Sequence, residues 1–246
     1  MGFLAACDTS TQLPSTTTNA QAATPPSSSR PWQNTYLYTE ALYEDPVFKN
    51  DVDSFSKTIA QHMARPSAAY KFGTKGLPRS TGNAGFAALT DLAQKAQDGD
   101  DLVIAMFTSH GQKDMLAYKE PGKQYRAITA QMLKSRLAPL QNDKQVIIIQ
   151  ACFSGSLIDD LASPNRIILT AAAQDRSSFG CRPDRHNTWF IQALNASIAQ
   201  GGSWQEIAKR TQSIIRGWEI KRGFPTRLYS NPQIYVGRNM QDIWRG

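Results

Sequence analysis

The sequence predicts an α/β fold of three layers, with a mainly parallel central sheet and helices on both of its faces. Two observations carry that expectation. Val146, Ile147, Ile148 and Ile149 are apolar at every position rather than every second one, and Leu102 to Thr108 is almost as uniformly apolar; such runs mark strands covered on both sides. Between runs of this kind, apolar residues recur at helical spacing, and alternating strands and helices imply crossover connections and a parallel sheet.

Taken in order, Asn34 to Glu40 reads as a short strand containing Tyr36 and Tyr38. Val47, Phe48, Val52, Phe55, Ile59 and Met63 fall on one face of a helix that must end before Pro66. Ala68 to Phe72 is a second strand. After the loop from Gly73 to Arg79, Phe86, Leu89, Leu92 and Ala96 mark a helix with Ser80 and Thr81 as cap candidates and a stop at Gly99. Leu102 to Thr108 runs directly into Ser109-His110-Gly111. A turn-rich excursion, Gln112 to Arg126, predicts a hairpin. The next helix is capped by Thr129, with Met132, Leu133, Leu137 and Leu140 on its inner side. The strand ending at Gln150-Ala151-Cys152 follows, then a strand over Ile167 to Thr170 and a helix over Trp189 to Ile198. Ser203-Trp204-Gln205-Glu206 is a capping box that opens a helix reaching Trp218, and Ile234 to Val236 is a last strand.

The chain has 246 residues, 41% of them hydrophobic and 19% charged, and a formal charge of +7. Its lysines and arginines are scattered rather than clustered, and no nucleic-acid-binding signature accompanies them, so a basic solvated surface is expected and nucleic acid is not an expected partner. No stretch has the ~20 apolar residues of a spanning helix. Residues 1–31 are expected to be a disordered Ser/Thr/Pro-rich tether, and residues 32–246 one folded domain. Leu4-Ala5-Ala6-Cys7 resembles the lipobox of bacterial lipoproteins, with Cys7 as the lipidation site. Only six residues precede that cysteine, fewer than a complete signal peptide needs. The expectation is an inner-membrane-anchored lipoprotein of the bacterial periplasm, Asp8 resembling a retention signal. A tether of ~25 residues would then hold the domain ~25–30 Å from the bilayer.

Cys152 lies just past a buried strand, where ligands bind in parallel sheets. Taken alone it fits a buried core cysteine equally well. His110 ends another buried strand 42 residues earlier. If the two strands are neighbours, right-handed crossovers put both loops on one sheet edge, where a thiol, an imidazole and oxyanion donors make a nucleophilic centre. A helix starting at Cys152 would lower the thiol pKa. The three cysteines are too dispersed for a metal site, and no cofactor is expected. His62 is expected on a solvated helix surface, and His186 in a charged surface loop.

Thr108-Ser109-His110-Gly111, then Ala151-Cys152-Phe153-Ser154-Gly155-Ser156, then Thr170-Ala171-Ala172-Ala173 followed by Arg176 to Cys181 resemble, in order and spacing, the blocks of the legumain (C13) family of the caspase-like clan. The resemblance spans about residues 34–237 and implies a caspase-like α/β/α fold. It makes Cys152 the nucleophile and His110 the general acid/base, with the backbone amides of Gly111 and Cys152 as oxyanion donors. Ser178, Gln150, Lys49 and Asn50 would contact a peptide substrate. Legumain has Glu where Gln150 stands, Arg-His where Lys49-Asn50 stands, and an acidic residue near Thr188, so the charges that read asparagine are missing here. The family's Gly-Ser or Asn after the first strand is also absent, with Glu40-Ala41 in that region. The expected activity is a cysteine endopeptidase acting through a thioester; a transamidase using the same pair and a non-catalytic interaction module are the alternatives.

Overall fold

Strand β1 (Thr35–Ala41) leads into helix α1 (Pro46–Thr58), whose last turn widens into a π-helical turn over Ile59–Met63 before strand β2 (Ala68–Phe72). This is a computed structural model describing residues 31–73, 77–79, 84–96, 100–119, 122–182 and 184–246. Helix α2 (Ala84–Lys95) and strand β3 (Leu102–Thr108) come next, then three short strands β4 (Gly111–Gln112), β5 (Met115–Tyr118) and β6 (Arg126–Thr129), and helix α3 (Ala130–Arg136). The second half holds β7 (Lys144–Gln150), α4 (Ile158–Leu161), β8 (Arg166–Thr170), α5 (Trp189–Ala199), α6 (Trp204–Lys221), β9 (Gln233–Val236) and α7 (Gln241–Arg245).

The main sheet has the order β2-β1-β3-β7-β8-β9, parallel throughout except for the antiparallel edge strand β9. Side chains alternate across it. Leu102, Ile104 and Met106 of β3 with Val146 and Ile148 of β7 pack against α1, α5 and α6; Val103, Ala105 and Phe107 with Ile147 and Ile149 pack against α2, α3 and α4. Both faces are therefore covered, which is why these strands read as unbroken apolar runs, and the architecture is the three-layer caspase-like α/β/α fold. Among the described residues, no helix is long and apolar enough to cross a membrane.

Several local expectations change. The excursion after His110 is a three-stranded antiparallel sheet, β4-β5-β6, rather than one hairpin. Phe86 and Met132, read as inward-facing, are 47% and 55% exposed. The buried stripe of α2 is Gly85, Ala88, Leu89 and Leu92, and that of α3 is Ala130 and Leu133; a residue one position off such a stripe is rotated by ~100°. Thr129 caps α3 by accepting from the Met132 amide, and Ser203 and Glu206 form the expected reciprocal box. The expectations for Cys7 and the tether, for the Ser80-Thr81 cap and for the Gly99 stop lie outside the described residues.

One polar cluster joins β1 to α3. Glu40, 1% exposed at its side chain, accepts from the Tyr38 hydroxyl and from Arg136 Nη1, each at 2.7 Å. Burial first, and then the neighbouring Glu40 charge, hold the Tyr38 hydroxyl well above its ordinary pKa. Arg136→Ala would remove a cationic partner of buried Glu40, and a broken buried pair costs about 3 kcal/mol or more. Urea unfolding of the two proteins is expected to show that loss with an unchanged m-value.

Candidate active site

Strands β3 and β7 are adjacent and parallel, with Leu102 opposite Lys144 and Thr108 opposite Gln150. Their carboxyl ends therefore deliver His110 and Cys152 to the same edge of the sheet, as the crossover rule requires of neighbours. The two loops touch. Ser109 donates its amide to the Gln150 carbonyl at 2.9 Å, and Gly111 lies so close that an added Cβ would sit 2.8 Å from Ala151 Cβ and collide with the Cys152 carbonyl oxygen. Glycine is required at 111 for space.

Cys152 is 7% exposed. Its sulfur lies 3.6 Å from both the carbonyl oxygen and the hydroxyl of Ser178, so the loop after β8 forms a wall directly against the thiol. That wall is anchored behind: Phe179 packs on Trp189 and Phe224 at 5.2 and 5.0 Å between ring centroids. The helix expected to start at Cys152 is absent. Phe153 is left-handed (φ 57), a short 3₁₀ turn covers Ser154–Leu157, and α4 has only four residues. Phe153 turns because its amide donates to the Arg176 carbonyl and the Gly155 amide to the Ala172 carbonyl, tying this loop to the wall instead of winding it into a helix. The dipole offered to the thiol is correspondingly small. Ser156 ties the β4–β5 turn to the thiol loop, its hydroxyl accepting from the Asp114 amide at 2.7 Å.

The imidazole of His110 is held from three directions. Its Nε2 is 2.9 Å from Asp45 Oδ2, while Tyr43 and Phe48 meet it edge-to-face at 4.8 and 5.0 Å. A carboxylate only accepts, so Nε2 carries the proton and Nδ1 is the basic nitrogen. Asp45 escaped the sequence reading because Asp-Pro before an apolar helix is an ordinary N-cap. Here the Asp45 side chain makes no cap hydrogen bond and turns to the histidine. The available signal was the three-residue spacing of Asp45, Phe48 and Asp51, which places them along one side of α1.

Beneath the loops lies a buried polar layer. Asp51 accepts from the hydroxyls of Thr108 and Thr188, each at 2.9 Å, and from the Thr188 amide and Asn187 Nδ2, each at 3.0 Å. Gln150, beside Thr108, is fully buried, and neither its amide nitrogen nor its amide oxygen has a hydrogen-bond partner among the described residues. Lys49 pairs with Asp53 at 2.6 Å, and Asp53 faces Lys71 of the edge strand β2. Asn50, next to it on α1, is half-buried. His62 is exposed on the π-helical turn, and His186 is exposed with Nδ1 2.8 Å from Asn187 Oδ1.

Burial raises the Asp51 pKa from 3.8 to about 6, against the four hydrogen bonds that lower it. A folded-state pKa raised in this way contributes stability that is complete below the unfolded value and lost as pH rises through 6. The stability of wild type relative to Asp51→Asn is therefore expected to fall by about 2 kcal/mol between pH 4 and pH 6.5, measured by denaturant titration at each pH.

A model of the peptidase C13 family matches residues 87–215, a span that includes both strand ends and the wall. No curated protein matches the chain.

Proposed function

The chain belongs to the peptidase C13 family, and from that premise we propose that it is a cysteine endopeptidase working through Cys152 and His110. Membership of the family speaks for a cysteine peptidase; the residues and the mechanism rest on the site. The observation that carries the assignment is the register of β3 and β7, which sets the two loops side by side and in contact.

In the proposed reaction, His110 Nδ1 takes the thiol proton as Cys152 Sγ bonds to the scissile carbonyl carbon. The backbone amides of Gly111 and Cys152 donate to the oxyanion. The imidazolium then protonates the leaving amine, the C–N bond breaks, and a thioester remains. Water, deprotonated by the same imidazole, hydrolyses the thioester and frees the sulfur. Asp45 keeps the ring in the tautomer with Nδ1 free and stabilises the imidazolium, while Tyr43 and Phe48 fix its plane. Ser178 borders the substrate side chain preceding the cut and Gln150 lies below it. With no charged group among these, the site suits an uncharged side chain better than an ionised one. Lys49 and Asn50 would reach only a more distant part of a peptide. The Leu4–Cys7 motif supports lipid anchoring, for which palmitate incorporation lost in Cys7→Ser is the check.

The test is cleavage of a mixed peptide library by reduced, folded protein, read by mass spectrometry. Wild type should cut and Cys152→Ala should not. Absence of cleavage by wild type would overturn the proposal, and ligated products on adding an amine would redirect it to acyl transfer.

A further inference from the structure

Asp51 is a buried ionisable group that bonds to the end of the histidine strand and takes no part in the reaction described above. It is wholly buried, and among the described residues the partners that hold it are neutral donors: two hydroxyls, one backbone amide and one carboxamide. A buried carboxylate without a cationic partner is expensive, and hydrogen bonds are what make it tolerable. All four donors point at it, two to each oxygen, so the ionised form satisfies every one of them.

Those donors come from two places separated by 57 and 137 residues from Asp51. Thr108 ends β3, two residues before His110. Asn187 and Thr188 close the segment that begins at the thiol wall, and Thr188 is also the N-cap of α5. Asp51 thus stands at the joint between the imidazole side of the cleft and its opposite wall. Three and six residues earlier, Phe48 on the same helix and Asp45 at its N-cap position hold the imidazole itself. A single helix face therefore sets both halves.

We propose that Asp51 is a positioning residue of the peptidase site, tying the Asn187–Thr188 turn to the end of the histidine strand so that the wall and His110 keep a fixed spacing around the substrate. The proposal rests on the peptidase reading for its kinetic consequence but not for its structural one. Asp51 touches neither substrate nor the reacting atoms, so its loss should loosen binding more than chemistry.

The experiment compares wild type, Asp51→Ala and Asp51→Asn in peptide kinetics and in amide hydrogen exchange. Asp51→Ala is expected to raise KM about tenfold with kcat within about threefold, and to speed exchange over residues 184–190 while β8 stays protected. Asp51→Asn keeps an oxygen for the Thr188 and Asn187 donors, so it should restore the protection and most of KM. An unchanged KM in folded Asp51→Ala, unchanged exchange over that segment, or equal defects in the two variants would overturn the proposal. If Asp51→Ala does not fold, Asn187→Ala removes one of the four bonds at a half-buried position; KM and local exchange should rise together, and no change in either overturns the idea. If wild type cleaves nothing, exchange alone decides: lost protection in Asp51→Ala supports the tie, and retained protection refutes it.

Discussion

His110→Ala is expected to lower kcat/KM for peptide cleavage by about 10²–10⁴-fold, the usual contribution of a positioned acid/base, while the protein stays folded. The imidazole is half-buried at a strand end, and what it packs against, Tyr43 and Phe48, also has other support: Phe48 is part of the core on that face of the sheet and Tyr43 packs against it. Removing the ring should therefore cost little stability. Two consequences separate catalysis from folding. The thermal transition should move by only a few degrees, and Asp45→Asn should give a smaller kinetic loss than His110→Ala, because it perturbs the ring's tautomer and orientation without removing the base. Steady-state kinetics with circular dichroism melts on the three proteins would check this. A large drop in melting temperature alongside lost activity would make His110 a packing residue instead.

Gly111→Ala is the second large effect. Its Cβ would collide with the Cys152 carbonyl and lie 2.8 Å from Ala151 Cβ, both backbone-fixed parts of the thiol loop. Neither can rotate away, so the two loops must separate. A displacement approaching 1 Å at a reacting centre costs about 10²-fold in rate, and the strain should also cost about 1–3 kcal/mol of stability. Gly122→Ala is the control. It sits in the turn between β5 and β6 with open space around its Cα, although its positive φ adds a small strain of its own. Activity of the Gly122 variant should be near wild type, and equal losses in the two variants would show that the contact at 111 has no special role.

Which parts of this were legible in the sequence follows from where the information sits. Strands β3, β7 and β8 announce themselves because covering both faces makes every position apolar. His110 and Cys152 were findable because each follows such a run. The wall residue Ser178 came from the resemblance; its hydroxyl lies 3.6 Å from the Cys152 sulfur. Asp45 and Asp51 were hidden for a different reason. An aspartate at a helix start or on a helix looks the same whether it faces water or a partner 65 or 137 residues away, and only the tertiary fold distinguishes the two. The helix expected at Cys152 failed because long-range bonds from Arg176 and Ala172 override the local preference. Lys49, which came from the resemblance, pairs with Asp53 one turn further along α1.

The central claim is that Cys152 is a nucleophile activated by His110, and covalent labelling tests it most directly. The reduced, folded protein would be treated with a peptidyl acyloxymethyl ketone or epoxide and the adduct mapped by tandem mass spectrometry. Modification should fall on Cys152, be strongly suppressed in His110→Ala and spare Cys181, which is buried in the core on the α1 side of the sheet. Equal labelling of Cys181 in the folded protein, or labelling of Cys152 undiminished by loss of His110, would contradict the account.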